Sequence, residues 1–277
     1  MAGRLERWWD RIRPGAAERL TLPDFLGIGA QKAGTTWLGE NLRRHPEVFL
    51  PERKELHWFD NKIERPLREY AAHFAAAGGR VKGEITPAYG ILPVERIRTV
   101  REVLPRVRLI LLLRNPVDRA WSHALMDLAF RRGRAPDQVP ESEYRAFLES
   151  ETAARRGDYA AILDAWLGVF PPDRLYVGFF EAIRERPRVL LSEVFRHIGV
   201  STDVDWDAFP TAKVIVPRVS PARKGHDVAV LDEAGEADSE RHPCPEPIRA
   251  WLVRRYAGDL ERLAERFGEP AARWRAG

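Results

Sequence analysis

An apolar run, Phe25-Leu26-Gly27-Ile28, leads directly into Gly29-Ala30-Gln31-Lys32-Ala33-Gly34-Thr35-Thr36. A strand that enters a glycine loop and then a helix is a cradle for an anion, and it commits the chain to an α/β architecture. A helix starting at Thr35 leaves its first backbone N–H groups outside the hydrogen-bond ladder. The helix dipole adds roughly half a positive charge at that end. Gly34 lets the backbone approach the anion, Thr35 and Thr36 offer hydroxyl donors, and Lys32 adds a mobile full charge. Nucleotide hydrolases follow G-x-x-x-x-G-K-[ST], with lysine directly after the second glycine. Here Gly29 and Gly34 keep that spacing, but Thr35 takes the lysine position and Lys32 lies inside the loop. The geometry suits a 5′-phosphate, while the γ-phosphate lysine is gone. An ordinary capped strand–helix turn accounts for Gly and Thr alone; Lys, Gly and two Thr in one frame favour an anion site.

Residues 107–122 read Val-Arg-Leu-Ile-Leu-Leu-Leu-Arg-Asn-Pro-Val-Asp-Arg-Ala-Trp-Ser. The run Leu109–Leu113 has the continuous apolar character of a buried parallel strand. It ends at Arg114, and Asn115-Pro116 is a turn signal with Pro suited to a first helical turn. Ser122 then falls about two turns into the next helix. Ligands of open α/β sheets bind at the carboxyl ends of the strands. Arg114 and Ser122 converge on one anion there, or Arg114 simply pairs with Asp118 at the surface; this segment alone leaves both readings open.

Together these segments resemble the family of sulfotransferases that use 3′-phosphoadenosine 5′-phosphosulfate (PAPS). Gln31-Lys32-Ala33-Gly34-Thr35-Thr36-Trp37 resembles the family's 5′-phosphosulfate loop, and Arg114-Asn115-Pro116 through Ser122 resembles its 3′-phosphate motif. Arg223-Lys224-Gly225 resembles the late loop that closes over the same cofactor. The pieces fall in the family's order and span residues 25–226. Lys54-Glu55-Leu56-His57-Trp58-Phe59-Asp60 is similar to the segment that carries a glutamate base in the heparan-sulfate branch. Lys82-Gly83-Glu84-Ile85-Thr86-Pro87-Ala88-Tyr89 resembles that branch's Glu-Lys-Thr-Pro-Ala-Tyr, except that the family lysine falls on Ile85; Lys54 and Lys82 are the two candidates to replace it.

The resemblance implies a P-loop-like three-layer α/β sandwich, with a central, mainly parallel sheet flanked by helices. It also implies in-line transfer of a sulfuryl group from PAPS to a hydroxyl or amine, leaving the bisphosphate product PAP. Glu55 takes the acceptor proton in this reading, and Asp60 or a backbone group orients His57. Lys32 stabilises the leaving group, Thr35 and Thr36 bind the 5′-phosphate, and Trp37 stacks on adenine. Arg114, Ser122, Arg223, Lys224 and Gly225 hold the 3′-phosphate. No metal is required, because Lys32 and the helix N–H groups neutralise the charge. Plainer readings stand beside these. Glu55 pairs with Lys54 or Arg53 on a solvated loop, His57 is structural, Trp37 is core, and Arg223-Lys224 is a basic turn. The acceptor is a small molecule or glycan: a carbohydrate, lipid or secondary metabolite. Rival functions are a P-loop-type nucleotide kinase or hydrolase, which Thr35 and the absence of an aspartate at Arg114 contradict, and a non-catalytic nucleotide-binding module, which has no need of Glu55.

Composition narrows the setting. The 277 residues suffice for one large domain with a buried core. Basic and acidic residues number 45 and 41, too balanced for a nucleic-acid partner. The single cysteine excludes an intrachain disulfide and points to a reducing compartment. No apolar run approaches the length of a membrane span, and a bacterial, cytoplasmic enzyme is expected.

The expected layout is one domain over 1–277, with an N-terminal helical extension at 1–20. Strands are expected at Phe25–Ala30, Val48–Leu50, Val81–Ile85, Val107–Leu113 and Leu175–Phe179. Helices are expected at Thr35–Arg44, Leu67–Ala77, Pro93–Leu104, Pro116–Phe130, Glu141–Arg155, Tyr159–Val169, Pro187–Ile198 and Pro247–Phe267. Residues 201–243 form an irregular, Pro-rich cofactor and acceptor region in this reading.

Overall fold

The structure is a computed structural model that describes residues 20–211, 214–218, 227–231 and 242–275. Five parallel strands form the central sheet: β1 (Phe25–Gly29), β2 (Val48–Phe49), β3 (Val81–Ile85), β4 (Arg108–Leu113) and β5 (Leu175–Phe179), in the order β2-β3-β1-β4-β5. The unbroken apolar run of β4 now has its cause. Leu109 through Leu113 are wholly buried, as a strand covered by helices on both faces requires. One hydrophobic cluster extends from Phe25 to Trp274.

The topology positions the site. From β1 the chain adds β2 and β3 on one side, then crosses to β4 and β5 on the other. The carboxyl ends of β1, β3 and β4 therefore flank the switch point where open α/β sheets place their ligands. The loop after β1 enters α1 (Thr35–Arg44) through Gly34, whose φ of 84° is left-handed. A Cβ there would stand 2.3 Å from Ile183 Cδ1, so that side chain would have to shift, and the left-handed backbone itself favours glycine.

After β4, Asn115 caps α2 (Pro116–Ala124), its side chain accepting from Val117 N–H. The helix expected over Pro116–Phe130 turns into a π turn at Leu125–Ala129. The helix expected over Glu141–Arg155 is two, α3 (Glu141–Glu149) and α4 (Glu151–Gly157), because Ser150 leaves the helical region and caps the second. Leu67–Ala72 stops short of Ala77, and a single turn at Ala75–Ala77 follows before Gly78. The region expected to be irregular contains an antiparallel pair, β6 (Val214–Arg218) and β7 (Asp227–Leu231), with Val214 opposite Leu231. No helix among the described residues is long and apolar enough to cross a membrane.

The closing helix α6 (Glu246–Phe267) does more than cover the core. Its buried Asp259 accepts from the backbone N–H groups of Tyr159 and Ala160, at 3.2 and 3.0 Å. Those donors open α5 (Tyr159–Leu167), so one helix caps another across the domain. Asp259→Ala should cost about 1–2 kcal/mol, because it leaves two buried donors without an acceptor. Urea unfolding followed by circular dichroism checks this.

Candidate active site

Three segments meet at the carboxyl edge of the sheet. Arg114, at the end of β4, donates from Nη1 to the Lys32 carbonyl at 3.3 Å. Its guanidinium lies 4.4 Å from the centroid of the Phe180 ring. Arg114 is 7% exposed, so this is a held position rather than the surface pair with Asp118. Asp118 is instead 3.2 Å from Arg249. Ser122 is buried on α2, and Thr35 and Thr36 are buried at the start of α1. The first ladder bond of α1 runs from Leu38 N–H to the Gly34 carbonyl. The N–H groups of Thr35, Thr36 and Trp37 precede that ladder, as an anion site needs.

Trp37 is 3% exposed, and its indole N–H donates to the Thr211 carbonyl at 3.4 Å. The ring is therefore enclosed by protein. Arg223, Lys224 and Gly225 lie outside the described residues.

The third segment follows β2. Glu55 and His57 have φ of 58° and 53°, and Lys32 has 69°. Among the described residues these are the non-glycine residues with left-handed backbone. All three belong to the predicted catalytic set, and such backbone persists only where the surroundings over-determine it. His57 links two carboxylates: Nδ1 is 2.6 Å from Asp60 Oδ2, and Nε2 is 3.4 Å from Glu55 Oε2. These hydrogen bonds, Asp60's first, raise the His57 pKa to about 9 against the opposing effect of burial. His57 is therefore an imidazolium at neutral pH, suited to orienting Glu55 and not to taking a proton.

On its other side Glu55 Oε1 lies 3.7 Å from Lys54 Nζ. Lys54 also donates to Thr36 Oγ1 at 2.5 Å, tying the glutamate loop to the first turn of α1. Burial lowers the Lys54 pKa, opposed by the charges of Glu55 and Glu40. Lys82, the other candidate to replace the missing lysine, pairs with Asp24 at 2.8 Å near the amino end of β3. Ile85 is 5% exposed and packs over Gly27 of β1. A small open cleft lies beside Thr36, Lys54, Glu55 and Ile85.

Sequence reasoning missed the residue that holds this loop. Glu84, 2% exposed, accepts four hydrogen bonds. Tyr70 and Tyr89 hydroxyls reach Oε1 at 2.6 and 2.8 Å, while the Thr86 hydroxyl and Leu56 N–H reach Oε2 at 2.7 and 3.3 Å. The Tyr89 oxygen accepts in turn from Trp58 N–H at 2.8 Å. The main chain on both sides of His57 is thus fixed from beneath. Burial raises the Glu84 pKa, opposed by all four hydrogen bonds. The available signal was a carboxylate at the end of a strand, followed by threonine and tyrosine. Arg156 was also missed: its charge lies within electrostatic reach of Glu55, Asp60 and Asp127, and the sequence near it carries no motif. Among the described residues, no group of three or more His, Cys, Asp or Glu is placed to hold a metal ion.

The sulfotransferase-domain family model matches residues 22–209, and the chain belongs to that family. Human heparan sulfate glucosamine 3-O-sulfotransferase 6 is 34% identical over 166 residues, which cover 55% of this chain and 45% of that protein. The chain spans less than half the length of the curated relatives it matches. In fold it is similar to a sulfotransferase from Alicyclobacillus acidocaldarius, with a TM-score of 0.66, 24% identity, and 91% and 98% of the two chains covered. It is also similar to a mouse sulfotransferase crystallised with PAP, with a TM-score of 0.55, 16% identity, and 92% and 88% covered.

Two outcomes test the site. Glu84→Gln turns an amide donor toward the Thr86 hydroxyl and Leu56 N–H, or toward both tyrosines, and should cost about 1–3 kcal/mol in urea unfolding. His57 has a raised folded-state pKa, so its stabilising contribution is complete below 6.5 and is lost as pH rises through about 9. Nitrogen NMR of the ring should show the imidazolium at pH 7.5 and its loss near pH 9.

Proposed function

We propose that this protein transfers a sulfuryl group from PAPS to the hydroxyl or amine of a carbohydrate, lipid or small-metabolite acceptor. The observation that carries the reading is the Arg114–Lys32 hydrogen bond. It joins the 5′-phosphate cradle to the motif read as binding a 3′-phosphate, so two separate anions of one nucleotide are accommodated together. The residues present fit that group. Gly34 supplies the left-handed turn into α1, Thr35 replaces the triphosphate lysine, and Arg114 is nearly buried with its fork at the loop. Thr35, Thr36 and the first N–H groups of α1 would hold the 5′-phosphate; Arg114 and Ser122 would hold the 3′-phosphate. Arg223, Lys224 and Gly225 belong to the same proposal on their sequence alone.

PAPS supplies an activated sulfur–oxygen bond; positioning, charge stabilisation and proton transfer fall to the protein. Phosphoryl transfer is the physical analogue, with little covalent work for side chains. Glu55 accepts the acceptor's proton, which requires hydrogen-bond reach in the bound complex. His57, charged and anchored by Asp60, fixes the carboxylate. Lys32 neutralises charge on the leaving oxygen. The Cys244 thiol is pushed up to about 12 by burial, which leaves it inert and compatible with a cytoplasmic setting.

Calorimetry without metal should show PAP binding at least about tenfold tighter than ATP with magnesium, the margin a lost γ-phosphate lysine allows. A preference for ATP–magnesium rejects the reading. Glu55→Gln should lower turnover of labelled PAPS about 10²–10⁴-fold over a panel of alcohol acceptors, while sparing PAP binding. Unchanged turnover removes Glu55 from the role of base.

A further inference from the structure

The geometry points to Lys54 as a catalytic cation whose ammonium contacts the sulfuryl group during transfer. This rests on the sulfuryl-transfer reading above and adds a residue to it. Lys54 Nζ sits between the two parties to the reaction, bonded to Thr36 Oγ1 on the anion-binding turn and 3.7 Å from Glu55 Oε1. The sulfuryl group has to lie between the 5′-phosphate cradle and the base, and that is the space this ammonium borders. Its side chain is 18% exposed, so the charge acts with reduced screening.

Chemical details support a direct role. An ammonium has donors only, and Lys54 has three. Thr36 Oγ1 takes one, and Glu55 is near enough to attract another. Thr36 accepts from Lys54, so its own hydroxyl proton is directed elsewhere, available to the phosphate. No rival cation comes from β3: Ile85 faces the cleft with an apolar side chain, and Lys82 is paired with Asp24 toward the opposite end of the strand. Lys54, beside Glu55, serves the sulfuryl oxygens on the side of the base.

In the step itself, a bond forms between the acceptor oxygen and sulfur as the bond from sulfur to the bridging oxygen breaks. The electron pair leaves on the 5′-phosphate of PAP, and the acceptor proton passes to Glu55. Lys54 gains and loses no proton; its charge offsets the negative charge on the sulfuryl oxygens throughout.

PAPS and PAP differ by the sulfuryl group, so their affinities in the absence of acceptor isolate this contact. For Lys54→Met, calorimetry should show PAPS weakened about tenfold or more and PAP changed less than about twofold. Lys54→Arg, which keeps the charge, should retain most of the preference for PAPS. Lys82→Met should match the wild type for both nucleotides. Equal losses of PAP and PAPS in Lys54→Met would mean that Lys54 merely ties the loop to the helix, and would overturn the assignment. An unchanged Lys54→Met overturns it as well. Wild-type protein that binds neither nucleotide instead rejects the parent reading and the assignment together, a result easily told from the other two.

Discussion

A carboxylate buried at the end of a strand organises the working edge of this protein. Glu84 is taken out of water, which is costly, and that cost is offset only because two tyrosine hydroxyls, a threonine hydroxyl and the Leu56 N–H all point at it. Those donors come from the helix Leu67–Ala72, from the turn after β3 and from the segment that carries Glu55. Satisfying one buried carboxyl group therefore fixes the path of the Glu55 segment. The left-handed conformations of Glu55 and His57 are tolerated on this foundation.

Electrostatics then sorts the charged groups into roles. Glu55 stands between Lys54 and a protonated His57, so the proposed base is held by cations on both sides. Asp60 keeps His57 charged, and that charge keeps His57 from competing for the acceptor proton. Across the cleft, Arg114 is bound to the Lys32 carbonyl and stacked on Phe180, which places its fork beside the loop after β1. The sheet contributes geometry: its switch point brings the ends of β1, β3 and β4 together.

Much of the fold was legible because its signals are local. The β4 run Leu109–Leu113, the Gly34 entry to α1 and the Asn115-Pro116 start of α2 were all read correctly from short stretches. The errors have physical reasons. Glu141–Arg155 is compatible with one helix by composition, yet Ser150 finds a better hydrogen bond as a cap than as a helical residue. The π turn at Leu125–Ala129 changes the spacing of side chains without any proline or glycine to announce it. The pairing of β6 with β7 depends on partners nine or more residues away, in a stretch whose prolines mask the strand signal.

The sequence by itself determined the chemistry available: a phosphate cradle without the triphosphate lysine, an arginine at a strand end, and a glutamate in a recognisable segment. These follow from residue type and short spacing, which the chain carries wherever it folds. Only the tertiary structure decided which groups meet. It set Lys54 beside Thr36 and Glu55 while pairing Lys82 with Asp24, placed His57 between two carboxylates, buried the Trp37 ring and revealed Glu84 beneath the loop. Burial and through-space charge set those outcomes, and both depend on contacts between segments far apart in the chain.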